Sequence, residues 1–330
     1  RAPARIDLAG GTLDIWPLSV IFAPSVSINV AVDLYATVRA EKTGKKKGVK
    51  IHSKELGKTI IYAPDCAEKA KTLFHRALDI FPAVGYEFHV DTVSPAGAGL
   101  GGSSALLIAF IKALLKIKGK NLKKEEIIET AQNIEARHLG IPTGVQDYVA
   151  AINGGVNAVH NLEGRRIFEK LKIKRSEIEK NLLLVYSGKS RISGVPNWIM
   201  LKKAVEGDRK TVRAFKKIAG NSLLLLKRLR EGRFSEVGPL IDIESDNRSE
   251  LGKSIIPPAM SKVFSEIKKA GGHPKVCGAG GGGCFLVWCK PERRNEILAL
   301  VKRKGLRSLD FKIASPGAIR DKTTSTFNLG

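Results

Sequence analysis

The chain is poor in sulfur, in aromatic rings and in acid: 330 residues hold four cysteines, two methionines, 6% Phe, Trp and Tyr, and 32 Asp and Glu against 56 Lys and Arg. Four cysteines in a chain of this length exclude a disulfide scaffold, and Cys66, Cys277, Cys284 and Cys289 match no zinc-ligand spacing. Three of them fall in one apolar, glycine-rich segment, where reduced core thiols are expected. Long apolar runs are missing as well. The longest, Ala105 to Ile111 and Cys284 to Cys289, fall far short of the roughly 20 residues that span a bilayer. The opening Arg1 to Asp7 shows no charged segment leading into an apolar one, so the expected location is the cytoplasm.

What is present is a globular composition, 43% hydrophobic and 27% charged, long enough for two cores. The formal charge of +24 raises nucleic acid as a partner. The lysines are spread from Lys42 to Lys322, few aromatics accompany them, and no nucleic-acid module is recognisable. Runs such as Lys45 to Lys47, Lys202-Lys203, Arg293-Arg294 and Lys302 to Lys304 read as solvated loops and helix faces, with no specific nucleic acid and no membrane as partner. A weaker alternative is attraction of anionic substrates or nonspecific polyanions.

Alternating apolar residues from Ser25 to Ala40 predict a long strand, with shorter strands at 49–52, 59–62 and 86–93. Helical spacing appears over 68–78, 103–116 and 123–139, the last with Asn121 as candidate N-cap and Gly140 as its stop. Strands follow at 156–159 and 181–186, and 165–179 reads as charged connecting material. Helices are expected near 198–204, 209–231, 257–270 and 292–304, with a strand at 285–289 and a polar tail from Lys322. This order points to an α+β fold in two domains, divided at 1–170 and 171–330.

The strongest local signal is Pro95 to Ala105, reading PAGAGLGGSSA between a predicted strand and a predicted helix. Glycines permit a sharp turn and close backbone approach, and a helix N-terminus presents unpaired N–H groups to an anion. A dinucleotide fold would need a parallel strand after the helix, but a second helix pattern follows Lys116. A P-loop would need a lysine where Ser103 stands. A tight turn without ligand is the plain alternative. The second run, Gly278 to Gly283, reads either as backbone packed against another loop or a substrate, or as a simple turn.

Among the carboxylates, Asp147 follows a run of turn residues and precedes the apolar 148–152, a junction suited to orienting or deprotonating a hydroxyl, or to plain N-capping. Glu135, near a helix end, could hold Mg²⁺ or face solvent beside Glu125, Glu126 and Glu129. Arg5 and Asp14 flank the turn Gly10-Gly11-Thr12, and singly each could be a surface residue.

Together these segments resemble the GHMP kinase superfamily, named for galactokinase, homoserine kinase, mevalonate kinase and phosphomevalonate kinase. Ala2 to Asp14 is similar to its first motif, Pro95 to Ala105 to its phosphate loop and Lys275 to Cys284 to its third motif, in family order. The segments Gly140 to Asp147, Asn153 to Gly155 and Ser187 to Arg191, with the four-glycine third motif, look most like D-glycero-D-manno-heptose 7-phosphate kinases. The resemblance implies a two-domain fold with its active site in the cleft between domains, and ATP and Mg²⁺ as cofactors. It implies that Pro95, Gly97, Gly99, Leu100, Gly101, Gly102, Ser103 and Ser104 wrap the ATP phosphates and that Ser103 and Glu135 ligate Mg²⁺. Asp147 would act on the acceptor hydroxyl, with Arg5 pairing to it and offsetting charge on the transferring phosphoryl group. Gly11, Thr12 and Asp14 would bind sugar hydroxyls, Gly281 and Gly282 would face the substrate, and Lys189 with Arg191 is a candidate clamp for a phosphate already on it.

The chain departs from the heptose kinases at the sugar turn, where Leu13 separates Thr12 from Asp14 and Trp16 follows, and in the phosphate loop, where Gly102 replaces a frequent serine. The expected reaction is transfer of the γ-phosphoryl group of ATP to a hydroxyl of a sugar or sugar phosphate, foremost the anomeric hydroxyl of a heptose 7-phosphate, by a monomer or homodimer. Mevalonate or phosphomevalonate kinase is the enzymatic alternative. A noncatalytic ligand- or polyanion-binding protein on the same fold is the alternative of another class.

Overall fold

The computed structural model describes residues 1–43, 48–55, 57–63, 71–189, 195–252 and 254–314. Arg191, Cys66, Lys45 to Lys47 and the tail from Lys322 therefore lie outside the described residues.

Two sheets organise the chain. The first is built on β2 (Ser25–Lys42), 18 residues and so roughly 60 Å of strand. Different stretches of β2 pair antiparallel with β1 (Ala2–Ala9), β5 (Tyr86–Thr92) and β6 (Val156–Asn161). With β3 (Val49–Ser53), β4 (Lys58–Tyr62) and β7 (Arg166–Leu171) the order is β4-β3-β5-β2-β6-β7, and β1 lies off this path on β2. Among the described residues only β3 and β5 pair parallel. The helices α2 (Leu73–Ile80), α3 (Gly102–Ile117), α4 (Lys124–Leu139) and α5 (Gln146–Asn153) share one apolar core with this sheet, through residues such as Phe88, Phe110, Ile128 and Tyr148. A four-residue helix, α1 (Leu18–Ile21), separates β1 from β2.

The second sheet has the order β11-β8-β10-β9, from β8 (Leu182–Tyr186), β9 (Gly272–Val276), β10 (Cys284–Cys289) and β11 (Arg307–Ser308). It is buried on both faces. Along β10, Cys284, Leu286 and Trp288 enter a core shared with β1 and β2, whereas Phe285, Val287 and Cys289 enter a second core against helices. Burial on both faces is why β10 reads as an unbroken apolar run. Cys277, Cys284 and Cys289 are buried thiols, as expected. The surrounding helices are α6 (Arg175–Asn181), α7 (Val195–Val205), α8 (Arg209–Arg230), α9 (Val237–Leu251), α10 (Pro258–Lys269) and α11 (Arg294–Arg303). After β11 the chain returns to the first sheet, where the Ala314 N–H donates to the Ala31 carbonyl, the Ala31 N–H to the Gly155 carbonyl and the Gly155 N–H to the Ala314 carbonyl. No helix among the described residues is long and apolar enough to cross a membrane.

Several expectations are corrected. The charged stretch 165–179 contains β7 and α6 rather than connecting material, because β7 completes an edge of the first sheet and needs burial on one side only. Lys123, not Asn121, occupies the N-cap of α4, where Glu126 accepts from its backbone N–H at 2.6 Å. The Gly140 stop holds, with φ +70° at the helix end. Several elements had no counterpart in the sequence reading, among them β1, β9 and α9 and the short α1 and β11.

Candidate active site

A cavity of about 540 Å³ runs between the phosphate-loop candidate and the turn after β1. The loop 95–101 joins β5 to α3 through left-handed glycines, among them Gly97 at φ +65°, Gly99 at +78° and Gly101 at +69°. Gly101 occupies the N-cap of a 16-residue helix with no side-chain cap, so the first N–H groups of α3 and the positive end of its dipole face the cavity. A Cβ on Gly101 would stand 2.8 Å from Asp147 Oδ2, so glycine there is what lets a carboxylate approach the loop.

That carboxylate sits in the first turn of α5. Val145, not Asp147, is the N-cap, and the helix start is fixed by Asp14: the N–H groups of Val145 and Gln146 donate to its Oδ2 at 2.6 and 2.9 Å. Burial pushes the Asp14 carboxyl up from its ordinary value, opposed by the hydrogen bond from Gln146. Asp14 thus orders the start of α5 and lines the cavity at once. Arg5, from the middle of buried β1, reaches Asp147 Oδ1 with both Nε and Nη2 at 2.7 Å. Its Nη1 donates to the Gly99 carbonyl, and its backbone N–H donates to the Leu100 carbonyl at 2.8 Å. Burial disfavours the guanidinium charge, but Asp147 and Asp7 outweigh it and raise the Arg5 pKa. One arginine therefore ties the anion loop to the carboxylate, leaving Asp147 Oδ2 on the side of Ser104, whose hydroxyl donates to it at 3.5 Å.

Ser104 also donates to Glu135 Oε1 at 3.3 Å, and the Tyr148 hydroxyl donates to Glu135 Oε2. Burial, with the charge of Asp147, pushes the Glu135 carboxyl up to about 7 against these hydrogen bonds. Ser103 is exposed at the cavity wall, so Ser104 rather than Ser103 is the serine brought to Glu135. Among the described residues no group of three or more His, Cys, Asp and Glu side chains gathers.

The turn after β1 forms the other end. Thr12, in a left-handed conformation at φ +78°, donates to Asn197 Oδ1 of α7 at 3.4 Å. Leu13 is fully buried in the core of the second sheet and Trp16 is 64% exposed outside the cavity lining, so neither departure at the turn lies in the site. The third motif supplies Gly278 and Ala279 to the lining, not Gly281 and Gly282. Gly283 fulfils the close-packing expectation: a Cβ there would meet the Ala98 carbonyl oxygen at 2.6 Å, and the Cys284 N–H donates to that oxygen at 2.7 Å. The third motif thus buttresses the anion loop with backbone. Lys189 is exposed and outside the cavity lining, its carbonyl accepting from the Gly283 N–H at 2.8 Å, and its intended companion Arg191 lies outside the described residues.

Beneath the turn lies a group the sequence reading missed. Lys275 and Asp7 form a fully buried ion pair at 3.1 Å, and Lys275 Nζ also donates to the Asp7 carbonyl at 2.8 Å. Burial pushes the Asp7 carboxyl up, but Lys275, Arg248 and Arg5 together outweigh it and lower its pKa. Its stabilising contribution is therefore complete above the ordinary carboxylate range and lost as the pH falls through the lower folded value. Lys275→Met, which leaves Asp7 buried without its cation, is expected to cost about 3–5 kcal/mol of folding stability, read as a lower urea midpoint. An unchanged midpoint would show that the pair does not hold the two sheets together.

Residues 65–155 match the GHMP kinases N terminal domain and residues 225–305 match the GHMP kinases C terminal domain. The chain is 26% identical over 342 residues to a D-glycero-alpha-D-manno-heptose 7-phosphate kinase of Campylobacter jejuni, covering 96% of each protein. It is equally, 26%, identical to a mevalonate kinase of Thermococcus sibiricus, again over 96% of each. Its fold superposes with TM-score 0.74 on the crystal structure of a D-glycero-D-manno-heptose 1-phosphate kinase from Bacteroides thetaiotaomicron, at 23% identity and 96% coverage of both chains. Anion loop, buttressing glycine run and two-sheet architecture agree with these matches, and the chain belongs to the GHMP kinase family of phosphotransferases.

Proposed function

We propose that this kinase transfers the γ-phosphoryl group of ATP to a hydroxyl of a sugar or sugar phosphate, foremost the anomeric hydroxyl of a heptose 7-phosphate. The nucleotide would bind mainly to the half at 1–170, and the half at 171–330 would close the acceptor end. The observation that carries the reading is Arg5 joining Asp147 to the phosphate loop. That link supports a reading in which the Asp147 carboxylate meets the acceptor hydroxyl beside the transferred group.

In this mechanism the loop N–H groups at 97–104 hold the phosphates, and Arg5 offsets charge that spreads onto the phosphoryl oxygens. Asp147 accepts a hydrogen bond from the acceptor hydroxyl through Oδ2 and takes its proton as the new bond forms. Glu135 and Asp147, flanked by serine hydroxyls, are a hard oxygen set that suits Mg²⁺, a cation bound through one or two carboxylates together with substrate phosphates. Glu135 would hold it, Ser104 and Tyr148 orienting its carboxylate, and Ser103, exposed at the cavity wall, would be the second ligand that the resemblance implies. When bound, Mg²⁺ supplies positive charge to the β- and γ-phosphate oxygens.

The acceptor end favours a polyhydroxylated molecule: Thr12, Asp14, Asn197 and Gln146 wall it, and the buried Gln146 Oε1 has no hydrogen-bond partner among the described residues. A branched methyl group, as in mevalonate, calls for an apolar pocket, and Ile15, Ile141, Pro142 and Ala279 also line the cavity. The equal identity to mevalonate kinases keeps mevalonate as the second reading. Release of ADP from Mg-ATP across heptose 7-phosphate, its unphosphorylated heptose, mevalonate, galactose, fucose and inositol separates the two. Preference for the heptose phosphate supports the proposal. Preference for mevalonate moves the acceptor, and release with none of them, ATP binding being intact, removes it.

A further inference from the structure

Arg248 projects from α9 into the wall of the cavity, wholly buried, and donates in two directions. Its Nη1 reaches the carbonyl of Gly11 in the turn after β1 at 3.0 Å, and its Nη2 reaches the carbonyl of Gly278 at the start of the glycine run at 2.9 Å. Those carbonyls lie 267 residues apart in sequence, and both Gly11 and Gly278 line the cavity. One turn earlier on the same helix, Glu244 accepts from the Gly10 N–H at 2.9 Å, so α9 holds the turn by a donor and by an acceptor.

We propose that Arg248 is a positioning residue of the acceptor site, a two-armed bridge that holds the Gly10–Asp14 turn in register with the Gly278–Ala279 wall. The bridge deepens the acceptor reading given above and rests on it for its consequence in catalysis. A planar guanidinium suits the task because its two arms diverge in a fixed plane, whereas an ammonium offers one point of attachment at the end of a flexible stem. The cluster is a poor stability device. Asp7 Oδ1, Glu244 Oε2 and Arg248 Nε are all buried without a hydrogen-bond partner among the described residues, and apolar side chains of similar volume would spare that cost. What the charges achieve, and apolar packing does not, is a directional grip on two backbone carbonyls. Gly11 shows how closely the turn is held: a Cβ there would stand 2.4 Å from Asp7 Oδ2, on the ion pair with Lys275.

The test compares wild type, Arg248→Lys and Arg248→Met. Arg248→Lys keeps the charge and removes the fork. Hydrogen–deuterium exchange is expected to rise in both segments 10–14 and 278–283 in both variants, with the phosphate loop 97–104 unchanged. With heptose 7-phosphate and mevalonate as probe acceptors, the acceptor KM is expected to rise about 10- to 100-fold, the range for losing charge-assisted hydrogen bonds, while the KM for ATP stays within about twofold. Wild-type exchange in Arg248→Lys would overturn the bridge, since charge alone would then suffice. A uniform rise over the whole chain, or equal rises in both KM values, would also overturn it by assigning Arg248 a general folding role. If wild-type enzyme turns over neither probe while the segmental exchange response is present, the acceptor reading fails and the bridge stands.

Discussion

Asp147→Asn is expected to lower turnover by about 10³-fold while leaving the dissociation constant for ATP within a few-fold of wild type. The asparagine keeps the volume and one oxygen for Arg5 but cannot take a proton from an acceptor hydroxyl. ATP binding is expected to survive because the contacts proposed for the phosphates come from backbone N–H groups of 97–104 and the start of α3, none of which depends on the Asp147 charge. Arg5 still reaches the Gly99 carbonyl and holds the loop from below. Stopped-flow or steady-state ADP release measures the first quantity and calorimetric titration with ATP the second. Turnover like that of wild type would remove Asp147 from the proton transfer.

A second large effect concerns Glu135. Its pKa near 7 lies above that of an exposed glutamate, so the folded protein binds this proton more tightly than the unfolded chain does. Without a cation, stability is therefore greatest when Glu135 is protonated and declines as the pH rises from the ordinary carboxylate range through about 7. Glu135→Gln removes that penalty and is expected to raise the melting temperature at pH 8 by a few degrees in the absence of Mg²⁺. The same variant should lose roughly 10²-fold or more in turnover, the scale for removing one preorganised electrostatic group from a reacting centre. In wild type a divalent cation competes with the proton, so the Mg²⁺ concentration for half-maximal rate should rise as the pH falls through about 7. A Mg²⁺ requirement independent of pH between 6 and 8 would contradict the assignment of Glu135 to the cation.

Much of the site is legible in sequence because its chemistry is local. The turn Gly97 to Gly101 and the helix it opens are encoded by glycines that must adopt φ near +70° and by the apolar spacing of α3. Arg5, Asp14 and Asp147 stand on short segments that a family resemblance can mark. Their partnership is not local: 142 residues separate Arg5 from Asp147, and only the pairing of β1 with β2 places β1 beneath the loop. A further task of Asp14 is hidden in the sequence for the same reason, since its hold on the start of α5 depends on a contact 131 residues away.

The helix α9 escaped notice because its buried stripe changes character. Val237, Leu240 and Ile241 begin an apolar face, but Glu244, Ser245 and Arg248 continue it before Leu251 ends it. Charges on an inward face erase the amphipathic signal, and here they mark the contact with the turn and the glycine run. The strands β1 and β9 were hidden differently. β1 is buried along its whole length and lacks the alternation of a half-exposed strand, and β9 carries Gly272 and Pro274. Tyr148 reads as one apolar residue among 148–152, and its hydroxyl gains a role only when α4 brings Glu135 against α5.

The central claim is that a γ-phosphoryl group passes to a sugar hydroxyl at the junction of Asp147, Arg5 and the phosphate loop. Phosphorus NMR of the product formed from Mg-ATP and heptose 7-phosphate tests it most directly. A second phosphorus signal coupled to the anomeric proton is expected, absent with Asp147→Asn. A product phosphorylated at another carbon would move the hydroxyl, and formation of ADP with only free phosphate, or a bisphosphate formed equally by Asp147→Asn, would contradict the account.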